Sequence, residues 1–280
     1  MSKTWFITGA SRGIGAEIAK AALSAGDNVV ATGRNREQLE KIYAAYRERV
    51  LAVELDVSLE SQAEAAVAAA LERFGRIDVV VNNAGYGQMG GFEEIDAQAI
   101  EQQFATNLFG TFHVTRAVLP AMRRQRAGHI FNLSSVGGML GFAGASVYCA
   151  TKFALEGFSE SLALEVADFG IRVTLVEPGF FRTDFLDGSS VRYGNRPVDD
   201  ADYASRSAQW RETYEAHNHR QAGDPAKLGL ALVRLAGEAN PPLRYAAGSD
   251  ALHGILGKLE QVRGEMEQWS ELSRSTDGAF

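Results

Sequence analysis

The chain has 280 residues, of which 46% are hydrophobic and 22% charged, as is typical of a soluble globular protein. Its formal net charge of −7 argues against a general attraction to nucleic acid or to an anionic membrane. The single cysteine, Cys149, excludes an intramolecular disulfide and any zinc site built from several cysteines. No apolar run approaches the ~20 residues of a membrane span, and the N-terminus lacks a signal-peptide pattern, so we expect a cytoplasmic protein without a membrane partner.

Apolar, strand-like runs alternate with longer stretches of helical periodicity along most of the chain. The runs that predict strands are residues 5–8, 28–33, 50–56, 77–82, 129–134, 171–177 and 243–247. Several are continuously apolar, as in residues 77–81, which suits strands covered on both faces. The alternation therefore predicts an α/β fold, with a parallel sheet, right-handed crossovers and helices on both faces.

Two segments depart from this alternation. Residues 180–223 are polar and aromatic, and we interpret them as an insertion that covers a site rather than as a separate domain. Residues 250–272 predict an extended C-terminal helix. Its apolar stripe, which is typical of a core or a subunit contact, consists of Leu252, Ile255, Leu256, Leu259, Val262, Met266, Trp269 and Leu272.

A glycine-rich turn follows the first strand, with the sequence Thr8-Gly9-Ala10-Ser11-Arg12-Gly13-Ile14-Gly15. Glycine lets the backbone approach a phosphate closely, and a helix that starts near Ile14 would point free N–H groups at it. A tight turn without a ligand is the alternative, since the spacing departs from the usual Gly-x-Gly-x2-Gly pattern. The residues that we assign to cofactor binding here are Gly9, Ser11, Arg12, Gly13, Ile14 and Gly15.

The end of the second strand indicates which dinucleotide binds. Gly33 stands where NAD-binding chains usually place a carboxylate for the ribose hydroxyls, and Arg34 follows it. A guanidinium there, with Arg12 nearby, suits the extra phosphate of NADP, so NADP is predicted in preference to NAD. The alternative is that Arg34 is a solvated surface side chain.

Two further strand ends supply candidate cofactor contacts. Asp56 and Val57 end the third strand, where the carboxylate could accept a hydrogen bond from an adenine amino group or could simply cap a helix. After the fourth strand, Asn83, Ala84 and Gly85 leave room for a ribose or a flat ring, although an asparagine there could also hold a turn.

Three residues in the middle of the chain can supply proton transfer. Tyr148 and Lys152 are four residues apart and thus share one face of a helix, and Ser135 comes thirteen residues before the tyrosine. A lysine cation close to the phenol is expected to lower its pKa from ~10 by roughly 1–3 units. Ser135 could hydrogen-bond a substrate oxygen beside the phenol. The set predicts an acid or base that acts on a carbonyl or alcohol oxygen.

In this order and spacing, these motifs resemble the short-chain dehydrogenase/reductase family, most closely over residues 3–183. The resemblance implies one Rossmann-like doubly wound domain over residues 1–280 with a seven-stranded parallel sheet. It also implies that Tyr148 is the acid/base, that Lys152 assists it and binds the nicotinamide ribose, and that Ser135 polarises the carbonyl. Asn107 would hold a water that links Lys152 to solvent, and a loop that contains Pro178, Gly179 and Thr183 would contact the nicotinamide.

The predicted reaction is hydride transfer between NADP(H) and a hydrophobic ketone or secondary alcohol. We expect an apolar substrate because the candidate wall residues are Met139, Phe142, Phe180, Phe181, Phe185, Tyr203 and Trp210. One alternative is a 3-oxoacyl carrier-protein reductase, whose acidic partner could dock on Arg182, Arg192, Arg196 and Arg206. Another is a binding protein that senses NADP without turnover.

No metal site is predicted, because the only spaced histidine pair, His217 and His219, lies in a polar stretch where solvated side chains are expected. A homo-oligomer, dimer or tetramer, is expected from the resemblance, in which long helices equivalent to residues 97–124 and 148–167 pair subunits.

Overall fold

The computed structural model describes residues 2–188, 190–198 and 201–278, without the side chains of Asp202 and His217. Its strands are β1 (Thr4–Ile7), β2 (Asn28–Gly33), β3 (Val50–Glu54), β4 (Val79–Asn82), β5 (Gly87–Met89), β6 (Gly128–Leu133), β7 (Ile171–Pro178), β8 (Val191–Tyr193) and β9 (Arg244–Ala247). Within the described ranges, seven of them form one parallel sheet in the order β3-β2-β1-β4-β6-β7-β9. The predicted Rossmann-like sheet is confirmed, with strand limits within two residues of those predicted.

Helices cover both faces of this sheet. They are α1 (Gly13–Ser24), α2 (Arg36–Ile42), α3 (Glu60–Phe74), α4 (Ala97–Phe104), α5 (Gly110–Gln125), α6 (Ser146–Val166), α7 (Ala201–His217), α8 (Pro225–Leu235), α9 (Ser249–Gln268) and α10 (Ser270–Arg274). None of the helices in the described ranges combines the length and apolarity that a membrane crossing requires.

The side chains of β1 show how the strands are buried. Trp5 and Ile7 pack into the core that α1 and α8 cover, whereas Phe6 packs into the core on the opposite face with α3, α5 and α6. All three are fully buried. Because successive strand residues point to opposite faces, a strand covered on both sides must be apolar throughout, as was predicted from the sequence.

The order of the strands determines where a ligand can bind. From β1 the chain moves outward to β2 and β3, then returns to place β4 on the other side of β1. A crevice opens at the carboxyl ends of strands where the order reverses in this way. The turns after β1 and β4 therefore meet at the position where doubly wound sheets bind ligands.

Two predicted helices differ in detail from the structure. The helix predicted over residues 97–124 is interrupted by a π-helical segment, Ala105–Phe109, between α4 and α5. The predicted C-terminal helix ends at Gln268, and α10 follows it. Most of its apolar stripe is exposed, so these side chains do not form part of the core of this subunit.

Candidate active site

The turn after β1 requires glycine at particular positions. Gly9 and Gly13 have φ angles of +65° and +56°, in the left-handed region that side chains disfavour. A Cβ at Gly15 would lie 2.4 Å from the carbonyl oxygen of Gly9 and 2.5 Å from Nδ2 of Asn83. The turn is therefore packed so closely against the start of α1 that no side chain fits between them.

The ends of β1 and β4 hold each other in place. The backbone N–H groups of Asn83 and Ala84 both donate to Oγ1 of Thr8, at 2.9 Å. Nδ2 of Asn83 donates to the carbonyl oxygens of Thr8 at 2.8 Å and Gly9 at 3.2 Å. Asn83 thus has the turn-holding role that was the alternative to cofactor contact, although it also lines the cavity described below.

The N-terminus of α1 fits a phosphate group. Its N-cap position is Arg12, and no side chain of the described residues caps the helix. The first N–H groups of a helix need a partner, and the helix dipole favours an anion there. The glycine turn beside it leaves no room for a side chain, so a ligand can approach the backbone closely. The turn and this uncapped helix end together have the features of a pyrophosphate cradle.

The residues predicted to select the dinucleotide lie around the same end of the cavity. Arg34 is exposed, and among the described residues it has no hydrogen-bond or ion-pair partner. Arg12 donates from Nη2 to Oγ of Ser190, at 2.7 Å. Oδ1 of Asp56 accepts hydrogen bonds from the backbone N–H and the hydroxyl of Ser58, at 2.9 and 2.6 Å. Asp56 therefore forms a local turn rather than a cap of α3, whose N-cap is Leu59.

The phenol of Tyr148 lies at the other end of the cavity. Its ring is 5.6 Å from that of Phe185, and the side chain of Ser135 lies next to it, since both side chains border Gly137. Burial raises the pKa of Tyr148 to about 12, and the neighbouring Ser135 hydroxyl opposes that rise only in part. At neutral pH the side chain is thus a protonated phenol, which can donate a proton.

The predicted lowering of the Tyr148 pKa by Lys152 is wrong for this structure. Nζ of Lys152 donates to the carbonyl oxygen of Leu133 at 2.6 Å and lies 5.8 Å from the centroid of the Tyr148 ring. Burial lowers the pKa of Lys152 itself to about 8, which Glu156 partly offsets. The loss of hydration therefore outweighs the attraction between ammonium and tyrosinate that was expected from the sequence.

Asn107 reaches the site through the π-helical segment. The side chain is buried, its Oδ1 accepts from the N–H of Tyr86 at 3.1 Å, and its Nδ2 donates to the Tyr86 carbonyl oxygen at 2.9 Å. A further contact of 3.5 Å joins Nδ2 to Oγ1 of Thr151. π-Helical segments are rare and frequently lie at functional sites. Here the segment presents an amide next to the helix that carries Tyr148 and Lys152.

The loop after β7 is held close to the site by the C-terminal helix. A Cβ at Gly179 would lie 2.3 Å from the carboxylate oxygens of Asp250, and the N–H of Phe180 donates to that carboxylate at 2.7 Å. Oγ1 of Thr183 accepts from the N–H of Phe185, at 3.2 Å. Thr183 also lies opposite Gly13 of the glycine turn, so the loop closes over the start of α1.

A buried acidic cluster lies behind Lys152. Glu156 accepts a hydrogen bond from the hydroxyl of Ser134, and Nε of Arg244 lies 3.3 Å from Glu156 and 3.6 Å from Glu177. The Glu177 side chain is only 2% exposed. Burial raises the pKa of Glu177 to about 7, Glu156 adds to the rise, and Arg244 opposes it. Folding thus favours the neutral form of this carboxyl group.

Replacing Glu177 with glutamine is expected to stabilise the protein in mildly alkaline buffer. The pKa of Glu177 in the folded protein lies above the ordinary carboxyl value of 4.5. The contribution of this group to stability is therefore fully present below pH 4.5 and is lost as the pH rises through about 7. The variant should therefore be more stable by up to about 3 kcal/mol at pH 8 and nearly unchanged near pH 4.5. Urea unfolding at both pH values measures this.

The matched control is Glu160→Gln. Glu160 also pairs with Arg244, but its side chain is 57% exposed. This substitution should change the free energy of unfolding by less than ~1 kcal/mol at either pH. An equal stabilisation of Glu177→Gln at both pH values would contradict the assignment of the titrating group.

The described residues of the range 180–223, which we call the lid segment, contribute much of the cavity wall. The segment is attached by the pairing of β8 with β5 and by a bridge between Phe181 and Gly223. Of the predicted wall residues, Phe142, Phe180, Phe181 and Phe185 line the cavity. Three predicted wall residues, Met139, Tyr203 and Trp210, do not line it. Met139 packs beside Val136 and Ile255, and Tyr203 and Trp210 pack edge to face 6.5 Å apart.

One cavity of about 580 Å³ brings nearly all the predicted site residues together. Gly15 is the exception, because it lies behind the turn rather than on its surface. The predicted residues that line it are Gly9, Ser11, Arg12, Gly13, Ile14, Arg34, Asp56, Val57, Asn83, Ala84, Gly85, Asn107, Ser135, Tyr148, Lys152, Pro178, Gly179 and Thr183.

Several lining residues were missed in the sequence analysis. Met89 and Tyr214 line the cavity near Tyr148, Gln221 also lines it, and Tyr86 lies beside Asn107. Within the described ranges, Oη of Tyr86 and Oε1 of Gln221 are buried without a hydrogen-bond partner. No motif marks these positions. Only the location of Tyr214 and Gln221 within the lid segment could have indicated them.

His219 lies at the base of the lid segment, where its Nε2 is 3.1 Å from Oδ1 of Asp187. Asp184 lies within 4.8 Å of this pair. The side chain of His217 is outside the described part of the chain. The cluster is partly exposed, and we interpret it as a polar contact, without assigning a metal to it.

The fold and this arrangement of residues define a nucleotide-binding oxidoreductase. The family model described as short chain dehydrogenase matches residues 3–192. The chain belongs to the short-chain dehydrogenase/reductase family.

Three curated relatives are similar over most of the chain. The oxidoreductase BOA17 of Botryotinia fuckeliana is 43% identical over 98% of both chains. A 3-ketodihydrosphingosine reductase of Bacteroides thetaiotaomicron is 39% identical over 86% of both. Retinol dehydrogenase 8 of Bos taurus is 36% identical over 86% of this chain and 80% of its own.

Solved structures are also similar. A short-chain dehydrogenase from Streptomyces avermitilis is 42% identical, with a TM-score of 0.90 over 99% of this chain and 100% of its own. An enzyme from Burkholderia phymatum in complex with NAD has 25% identity and a TM-score of 0.78 over 100% and 98%. The structure of ElxO with NADP bound has 28% identity and a TM-score of 0.70 over 86% and 94%. Relatives with this fold thus bind either dinucleotide.

Proposed function

We propose that this protein reduces a hydrophobic ketone, or oxidises the corresponding secondary alcohol, with NADP(H) as the cofactor. The observation that carries the proposal is the position of Tyr148, next to Ser135, in a cavity that extends to the uncapped start of α1. One end of this cavity suits a dinucleotide phosphate, and the other places a proton donor beside an aromatic wall.

The residues near Tyr148 have distinct roles in the proposed reaction. When bound, the nicotinamide cofactor supplies the hydride for the carbonyl carbon. Tyr148 donates its proton to the carbonyl oxygen, and Ser135 hydrogen-bonds the same oxygen as negative charge develops there. Because burial favours the phenol over tyrosinate, this site suits reduction at neutral pH. Nζ of Lys152 lies 5.8 Å from the centroid of the Tyr148 ring, from where it can return a proton through water after each turnover, and Asn107 would hold that water.

The walls near Tyr148 favour an apolar substrate. Phe142, Phe185, Leu186 and Met89 line the cavity there. The names of two relatives refer to a ketodihydrosphingosine and to retinol, both of which are largely apolar molecules. We therefore expect ketones with long alkyl chains or fused rings to be better substrates than short oxo-acids.

A panel of carbonyl compounds assayed with NADPH and with NADH tests this function. Reduction of apolar ketones, followed by the absorbance of the reduced nicotinamide, is the expected result. Turnover confined to thioesters on an acidic carrier protein would instead favour the 3-oxoacyl reductase alternative, since Arg182, Arg192, Arg196 and Arg206 are all exposed. Tight NADPH binding without turnover across the panel would favour a cofactor-sensing protein.

Replacing Arg34 with aspartate is expected to reverse the cofactor preference. A carboxylate there repels the extra phosphate of NADP and can accept hydrogen bonds from the ribose hydroxyls of NAD. The specificity constant for NADPH should fall by roughly 10- to 100-fold, whereas that for NADH should stay the same or rise. Steady-state kinetics with both cofactors measure the ratio.

Arg36→Asp is the control for this prediction. Arg36 is exposed, pairs with Glu40 at 2.8 Å, and lies two residues farther along the chain, away from the cavity lining. This variant makes the same change of charge, so it should alter the cofactor ratio by less than about twofold. A similar reduction in both variants would indicate a long-range charge effect instead of a phosphate contact.

We also expect a homo-oligomer in the cytoplasm. The helical region from α4 to α5 and helix α6 carry exposed apolar side chains, with Phe109 and Phe153 each 47% exposed and Leu164 81% exposed. A second subunit that packs against them would remove this surface from water.

A further inference from the structure

Helix α9 extends beyond the body of the protein with an uncovered apolar seam. Ala251 and Ile255, in its first turns, are buried against the body, but from Leu256 to the end of α10 no described residue is buried. Leu259, Met266 and Trp269 are 50%, 69% and 58% exposed. Because a helix of this length gains most of its stability from packing an apolar face, this projecting part needs a partner.

The spacing of the seam is that of a coiled coil. Apolar residues recur at alternating intervals of three and four, at Leu252, Ile255, Leu259, Val262, Met266 and Trp269. Written as heptads, Leu252, Leu259 and Met266 occupy a positions, and Val262 and Trp269 occupy d positions. Ile255 also falls at a d position, but it packs on the body of its own subunit, so the seam that is free for a partner consists of the other five residues. An a/d seam of this kind packs against another helix with the same repeat. A second copy of α9 meets that requirement.

We propose that α9 pairs with α9 of a second copy of this chain as an antiparallel two-stranded coiled coil. The two-fold axis passes close to residues 260 and 261. In this register Leu252 packs against the partner's Trp269, and Leu259 packs against the partner's Val262. The exposed leucine near the body is thereby covered by the tryptophan at the far end of the other helix.

Charges beside the seam select this arrangement. Lys258 and Glu265 occupy g positions, and the antiparallel register places each Lys258 next to the partner's Glu265, twice per dimer. Among the described residues Lys258 has no ion-pair partner within its own chain. A parallel in-register pair would place Lys258 beside the partner's Arg263, where like charges repel.

A second antiparallel register, shifted by one heptad, is also disfavoured. It would place Glu265 beside the partner's Glu265 and Arg263 beside the partner's Arg263. Charge complementarity thus distinguishes one register out of three that keep the same apolar seam in contact.

The double variant Leu259→Glu with Met266→Glu tests the interface. Multi-angle light scattering of the full chain should show the mass halved, because four carboxylates would enter the seam of each dimer. Helix content by circular dichroism and carbonyl reduction should be retained, since neither residue lines the cavity. His253→Glu, an added acid on the exposed opposite face of α9, is the matched control and should leave the mass unchanged.

The direction of the helices is tested with a charge exchange. Lys258→Glu should weaken dimerisation about tenfold in sedimentation equilibrium, and Lys258→Glu combined with Glu265→Lys should restore it. A parallel dimer would give the opposite sign, because Lys258→Glu would then face the partner's Arg263. The proposal is overturned if Lys258→Glu strengthens the dimer, if the wild-type mass equals that of the seam variant, or if the seam binds lipid vesicles while the chain remains monomeric.

Discussion

Replacement of Tyr148 by phenylalanine is expected to lower the turnover number by at least 10²- to 10⁴-fold, the range that a general acid typically contributes. Phenylalanine retains the ring that packs 5.6 Å from Phe185, so the shape of the cavity is preserved. It removes the hydroxyl that donates the proton in the proposed reaction and that lies next to Ser135. Affinity for NADPH, measured by fluorescence titration, should change by no more than a few-fold.

Tyr214→Phe provides the matched control for that variant. Tyr214 lines the same cavity, but its hydroxyl donates to the carbonyl oxygen of Ala143 at 2.9 Å. The same loss of one hydroxyl group should therefore leave most of the activity. If Tyr148→Phe kept a substantial fraction of wild-type turnover on the best ketone, another group would have to supply the proton.

The second large effect is expected for Gly15→Ala, which should weaken NADPH binding by roughly 100-fold or more. The added methyl group would lie 2.4 Å from the carbonyl oxygen of Gly9, which belongs to the backbone. It would also lie 2.5 Å from Nδ2 of Asn83, which Thr8 holds by a hydrogen bond. Since neither neighbour can rotate away, the turn must move, and a small displacement disrupts the geometry of a phosphate cradle.

The control, Gly157→Ala, is the same substitution in helix α6. A Cβ there would meet no heavy atom within 4 Å. Alanine is favoured over glycine inside a helix, so this variant should be more stable than wild type by about 0.5–1 kcal/mol and should bind NADPH normally. Calorimetric titration with NADPH and thermal unfolding compare the two variants. Unchanged affinity in Gly15→Ala would show that the turn does not carry the phosphate.

Much of the fold and of the candidate site could be predicted because their signals are local. The limits of β2 agree with the predicted residues, 28–33, since the apolar run there is bounded by turn residues. Tyr148 and Lys152 lie on one helix, α6, as their spacing requires. Gly9 and Gly13 adopt positive φ angles in the turn for which glycine was expected. In each case the decisive interaction lies within a few residues along the chain.

Other features could not be read from local pattern. Trp210 was predicted to line the cavity because it is aromatic, yet it packs against Tyr203 within the lid segment. The partner of Arg12, Ser190, lies 178 residues farther along the chain. Asn107 reaches the site through a π-helical segment that no periodicity marked in advance. Each outcome depends on which distant segments meet in the fold.

The sequence by itself determined the order of the strands and helices, the glycine turn and the spacing of Tyr148 and Lys152, because periodicity and backbone preference act over short distances. Only the tertiary structure decided whether the Tyr148 phenol is protonated and whether the apolar stripe on α9 is buried or exposed. The pKa of Tyr148 rises to about 12 because folding removes water from the phenol, and Leu259 stays exposed because α9 extends past the body of its own subunit. Hydration and burial are properties of the whole packed chain, which is why neither could be inferred from the residues alone.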